Sequence, residues 1–309
     1  MIKLFEKFNL LNRSIKDSQY PVSTDGAIKA YMGVSKDGFY RISFLSTQSI
    51  GVKGATKAIA IVQGESGDGN YWTCFDLKND DLLSAFCSFG EDMISCIQGI
   101  ETETITASRL RLRYSTWLAL FRKTRTPMPE EKARGLYGEL YFLKMYMLGS
   151  YDERCSIEAW GGPEQFSKDF SINDTWFEIK TIGVGSAVAK ISSLAQLSSE
   201  VKGHLIIIRT EEMAETYKGE DASINELIQN ILSLVQENDL KDLFLDKVTK
   251  YGYDLSDDIG NKKYVVKKIE KYCVDETFPV LRESDIKSSA VNNVSYELIL
   301  KLIAAWMEK

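Results

Sequence analysis

The stretch KDFSINDTWFEIK, Lys168 to Lys180, constrains the fold more than any other. Two short alternating arms meet at Asn173-Asp174, a pair suited to a tight two-residue turn. With that turn, Ile172 falls opposite Thr175, Phe170 opposite Phe177, and Asp169 opposite Glu178. Directly opposed positions have Cβ atoms roughly 4.5–5.5 Å apart, where like charges destabilise a sheet. Something has to offset that repulsion. The strand period of two puts Phe170, Ile172, Phe177 and Ile179 on a core face. Asp169, Ser171, Trp176, Glu178 and Lys180 share the other, a charged site holding two carboxylates and an ammonium.

The elements around the hairpin read as a mixed α/β chain. FYRISFL, KAIAIVQ and NYWTCFDL, between Tyr31 and Leu77, are strand-like and separated by Gly- and Asp-containing turns. Helical periodicity follows at about 80–96 and 106–123. Pro129 opens a further helix, PEEKARGLYGELYFLKMYML, with acidic residues in its first turn and Leu136, Leu140, Leu143 and Met147 as its apolar stripe. Glu139 borders that stripe, and Gly135 and Gly138 beside it allow another element to approach closely. After the hairpin come a strand at 186–191, a short serine-capped helix in SSLAQLSSEV, and a buried strand from His204 to Thr210. SINELIQNILSLVQEN and LKDLFLDKVTKYG predict amphipathic helices, NKKYVVKKIEKYCV a strand, and SYELILKLIAAWMEK a closing helix. This order predicts a β-rich N-terminal domain over 1–103 and a second domain over 104–309 with helical C-terminal additions.

Composition narrows the chemistry. The 309 residues, 44% hydrophobic and 27% charged, are those of an ordinary soluble protein. No run of about 20 apolar residues predicts a membrane span, and the charged N-terminus lacks the form of a leader, so a cytoplasmic location is expected. Five cysteines without a CxxC pair argue against a disulfide framework or a zinc ribbon. The single histidine, His204, opens an apolar run and reads as structural. The net charge of −6 gives no overall basic footprint. Locally, Arg109, Arg111, Arg113, Arg122, Lys123, Arg125, Lys132 and Arg134 outnumber Glu130 and Glu131, and this is the best stretch for a phosphate-facing surface.

Phosphodiester hydrolysis requires a cation to neutralise the phosphate, an activated water, and a positive group for charge developing in the transition state. Magnesium accepts one or two carboxylates and keeps several waters. The hairpin offers two carboxylates with Lys180 on the same face, and Glu139 could complete the set. An E-x-K alone is a common solvent-facing strand pattern. The opposed Asp169, the turn-defined register and the preceding helical Glu139 set this one apart.

An Asp at the start of one strand, a Glu-x-Lys on the next, a Glu on the preceding helix and an αβββαβ order resemble the PD-(D/E)XK nuclease superfamily, which includes many restriction endonucleases. More narrowly, GLYGELYFL, AWGGPEQFSKDF, TWFEIKT and ISSLAQL together are similar to an uncharacterised bacterial family assigned to the PD-(D/E)XK proteins. The close resemblance covers about residues 130–210. It implies a restriction endonuclease-like core and a Mg2+-dependent DNA endonuclease, with Mn2+ as a substitute, acting in restriction or phage defence. Asp169, Glu178 and the Ile179 carbonyl would be metal ligands, Glu139 would assist, and Lys180 would orient the water and stabilise the phosphate charge. Gln196 falls where some members carry a glutamine, and Lys168 stands where the motif has its proline. DNA is the implied partner, with a homodimer and other defence-system proteins as further ones. The alternative is a catalytically silent nuclease fold that binds DNA or serves as an assembly subunit.

Overall fold

The computed structural model describes residues 3–23, 25–100, 102–121, 128–254, 258–288, 290–291 and 293–308. The chain forms two compact units, and they do not divide at residue 103. One comprises Met1–Pro127, Leu232–Thr249 and Tyr253–Asp258, the other Met128–Ile231, Lys250–Gly252 and Ile259–Lys309.

In the first unit, α1 (Leu4–Leu10) precedes an antiparallel sheet of β1 (Ser18–Ser23), β2 (Lys29–Val34), β3 (Tyr40–Ser46), β4 (Ile59–Glu65) and β5 (Tyr71–Leu77), ordered β1-β2-β3-β5-β4. Helices α2 (Leu83–Ser95) and α3 (Glu103–Leu120) follow. Phe75 of β5 packs against Phe89 of α2 and Tyr114 of α3, and Phe89 meets Trp117, so α3 shares the core of the N-terminal sheet. The helix Asn238–Tyr251 joins this unit through buried Arg113, which donates to Asn238 O and Oδ1 and ion-pairs with Asp242 at 3.0 Å. These packing partners lie far apart in the chain, which is why a division at one point in the sequence does not describe the units.

The second unit carries the hairpin. Helix α4 (Glu130–Phe142) runs through a π turn (Leu143–Met147) into α5 (Leu148–Ser150), and Leu136, Leu140, Leu143 and Met147 are fully buried. After α6 (Glu153–Glu158), β6 (Phe170–Ile172) and β7 (Thr175–Gly183) form the hairpin in the expected register, with Phe170 opposite Phe177 and Ile172 opposite Thr175. Asn173 takes the left-handed conformation, φ 51°, that the tight turn demands. Strand β8 (Val188–Ile191) precedes β9 (Gly203–Met213), which runs parallel to β7, and after α7 (Ile224–Leu234) and α8 (Asn238–Tyr251) β10 (Lys263–Val274) pairs with β9. The sheet order is β10-β9-β7-β6. Leu205 to Ile208 of β9 are buried, as a central strand covered on both faces requires. The mixed α/β class is therefore the observed one.

Three local expectations are corrected. SSLAQLSSEV forms only a 3-10 turn, Leu194–Gln196, because the carbonyls of Ala195, Gln196 and Ser198 are taken by Lys168 Nζ instead of by helical amides. SYELILKLIAAWMEK is β11 (Tyr296–Ile299) followed by a 3-10 stretch, Leu300–Trp306, not a closing helix. Strand β11 pairs with β8, and Leu298, Leu300 and Ile303 are buried with Trp176, Ala189 and Ile191, so pairing overrides helical periodicity. The hairpin face assigned to charge is also covered: Trp176 is 3% and Glu178 1% exposed.

Candidate functional site

The ladder between β6 and β7 stops at Phe170, and Asp169 takes over the next rung with its side chain. Asp169 Oδ2 accepts the Ile179 amide at 2.7 Å, while Asp169 O accepts the Gly161 amide at 2.8 Å. The carboxylate is thereby pinned to the strand that carries Glu178 and Lys180. One turn of pleat separates those two, and Lys180 Nζ lies 2.8 Å from Glu178 Oε1.

Helix α4 delivers Glu139 because it lies close on β7: a Cβ at Gly138 would collide with Thr181 Oγ1. Both oxygens of Glu139 are engaged, Oε2 by Trp160 Nε1 and Oε1 by Tyr251 Oη, each at 2.8 Å. A Cβ at Gly162 would displace Oε2, so the Trp-Gly-Gly run of AWGGPEQF is the seat of this carboxylate. Across the cleft, Gln196 Oε1 accepts from Lys180 Nζ at 3.1 Å and from the Ser192 amide at 2.7 Å.

Burial dominates the electrostatics. It pushes Glu178 up to about 8, with the Asp169 charge adding to the shift. Burial likewise raises Asp169, against the pull of Lys180 and the Ile179 amide. Glu139 is raised well above its ordinary value by burial and then by Asp169. Three carboxyl groups thus crowd one another, offset by Lys180 and, more weakly, by the Lys168 charge on Asp169 and Glu178. Glu178 Oε1 meets Lys180 only obliquely, and Oε2 is buried with no hydrogen-bond partner.

A cleft of about 630 Å3 is lined by Glu139, Asp169, Ile179, Lys180 and Gln196, with Lys132 and Lys190 among its other walls. Glu178 lies just behind this lining. Among the described residues no three His, Cys, Asp or Glu side chains are already arranged around a common point for a metal. The donors present nonetheless fit a hard divalent cation: a carboxylate just before β6, a carboxylate on β7 with a bare buried oxygen, and the backbone of Ile179 beside Asp169. Glu139 lies near that pair with both oxygens already engaged by neutral donors.

Other expected residues fall elsewhere. Arg113 is buried between Asp92 and Asp242, Arg111 donates to Ile50 O, and Arg134 pairs with Glu130, so these do not form one phosphate-facing surface. Arg122, Lys123 and Arg125 lie outside the described residues. His204 stacks on Phe177 with centroids 5.2 Å apart, and burial lowers its pKa, in keeping with a structural role. All five cysteines are free. Among the described residues no helix is long and apolar enough to cross a membrane. Trp160, Tyr251 and Lys168 were not expected at the site; only AWGGPEQF, beside the hairpin, carried a sequence signal for one of them.

An aspartate entering a hairpin, a Glu-x-Lys on its return strand and a glutamate from the helix packed on that strand have the pattern of PD-(D/E)XK proteins, a nuclease-like class. The chain belongs to the family described as "Putative PD-(D/E)XK family member, (DUF4420)", which matches residues 1–301, well beyond the 130–210 region that carries the motifs. No curated protein and no solved structure matches it.

Proposed function

We propose that this chain is a divalent-metal-dependent nuclease that hydrolyses DNA phosphodiester bonds. The observation that carries this reading is Glu178: a buried carboxylate with a bare oxygen, just behind a cleft wall that Asp169 and Lys180 form. Asp169, Glu178 and the Ile179 carbonyl would hold Mg2+ or Mn2+. Bound there, the cation supplies positive charge to the phosphate and a more acidic water. Lys180, held by Glu178 and Gln196, orients the attacking water and balances charge growing on the phosphate. Lys132 and Lys190, on the same cleft, attract the phosphate backbone. Cutting both strands calls for two such sites, which makes a homodimer the matching assembly. A place in restriction or phage defence rests on the resemblance to restriction endonucleases.

Purified protein is expected to cut DNA with Mg2+ or Mn2+, and Lys180→Ala or Asp169→Ala to lower the rate by about 10²–10⁴-fold or more. Equal cleavage by wild type and both variants would contradict the assignment.

A further inference from the structure

Lys168 has no part in the chemistry above and does not line the cleft, yet it is one of the most heavily engaged side chains of the second unit. It is 8% exposed, and its Nζ donates to Ala195 O at 2.6 Å, Gln196 O at 2.8 Å and Ser198 O at 3.0 Å. An ammonium has three donors and no acceptor, so these three carbonyls use it completely. The same Nζ sits 4.0 Å from the centroid of the Trp176 ring, which closes the site from the remaining side. The segment thus gripped, Ala195–Ser198, contains Gln196, whose side chain turns back to hold Lys180. One ammonium therefore fixes the backbone of a residue whose amide fixes a second ammonium.

We propose that Lys168, in the position where the motif has a proline, is a positioning residue that sets Gln196 against Lys180. A proline there offers no donor, and the planar arginine fork does not match three convergent carbonyls. Without Lys168 the turn loses its closure, Gln196 Oε1 swings away, and Lys180 is left with Glu178 alone. The proposal rests on the nuclease reading for its consequence in catalysis, but the contact itself is testable without it.

The test compares wild type, Lys168→Met, Lys168→Arg, Gln196→Ala and the double variant Lys168→Met/Gln196→Ala. Trace acetylation of lysines by an amine-reactive ester, quantified by peptide mass spectrometry, reads the freedom of Lys180. Lys168→Met is expected to raise Lys180 labelling about fivefold, the equivalent of one hydrogen bond of about 1 kcal/mol. Gln196→Ala is expected to do the same, and the double variant no more than either. Lys168→Arg falls between wild type and Lys168→Met. In a DNA-cleavage assay the single variants are expected to lower kcat with KM and Mn2+ affinity unchanged. Lys180 labelling that stays at the wild-type level in folded Lys168→Arg and Lys168→Met overturns the proposal, as does a double variant that sums the two effects. If wild type cuts no DNA, the nuclease reading falls while the labelling still decides the role of Lys168.

Discussion

Each unit buries charge across neighbouring strands, and the two solutions are opposite. In the first unit Arg41 of β3 lies directly across from Asp76 of β5, and the guanidinium forks onto the carboxylate at 2.6 and 2.8 Å. Opposite charges on opposed positions settle each other. In the second unit Asp169, just before β6, and Glu178 of β7 face each other as like charges, with Glu139 close by and one oxygen of Glu178 bare. The first arrangement is complete without help. The second leaves like charges crowded and one oxygen without a hydrogen bond, a state that added protons or an added cation would relieve.

Removing one member of each cluster sharpens the contrast. Asp76→Ala leaves Arg41 buried and unpaired, and is expected to cost about 3–5 kcal/mol in urea denaturation. Glu178→Gln has the opposite sign. It removes a charge that burial and Asp169 disfavour, so the metal-free variant is expected to unfold at higher denaturant than wild type at pH 8, by about 1–3 kcal/mol. A variant less stable than wild type there would make Glu178 a structural residue like Asp76.

A further effect follows from pH. Glu178 moves from an ordinary 4.5 to about 8 in the fold, so folding takes up a proton between those values. The metal-free wild type is therefore expected to lose stability as pH rises from about 4.5 towards 8, and Glu178→Gln to flatten that slope. A stability profile with the same slope in both proteins would place the titrating group elsewhere.

How much of this was legible in the sequence depended on range. The hairpin register was readable because Asn173-Asp174 fixes it locally. Glu139 and Gly138 were readable from helical spacing next to an apolar stripe. The residues that hold the site were not, because their partners are remote: Trp160 reaches 21 positions back to Glu139, Lys168 27 forward to Ala195, and Tyr251 112 back to Glu139. The closing segment misled for a related reason. LILKLIAAW has helical spacing, but β8 offers Leu298 and its neighbours a strand partner that no local pattern reveals. The same holds for Arg113, which ties α3 to Asn238 across 125 residues and carries α8 into the first unit.

The most direct test of the central claim is the melting of metal-free wild type and Glu178→Gln with Mg2+, Mn2+ or Ca2+ added. A cation that binds only the folded state contributes about 2.7 kcal/mol at a hundred times its Kd. The wild type is expected to melt higher with each saturating cation and Glu178→Gln to stay where it was. Equal shifts in both proteins, or none in the wild type, would contradict a metal site between Asp169 and Glu178.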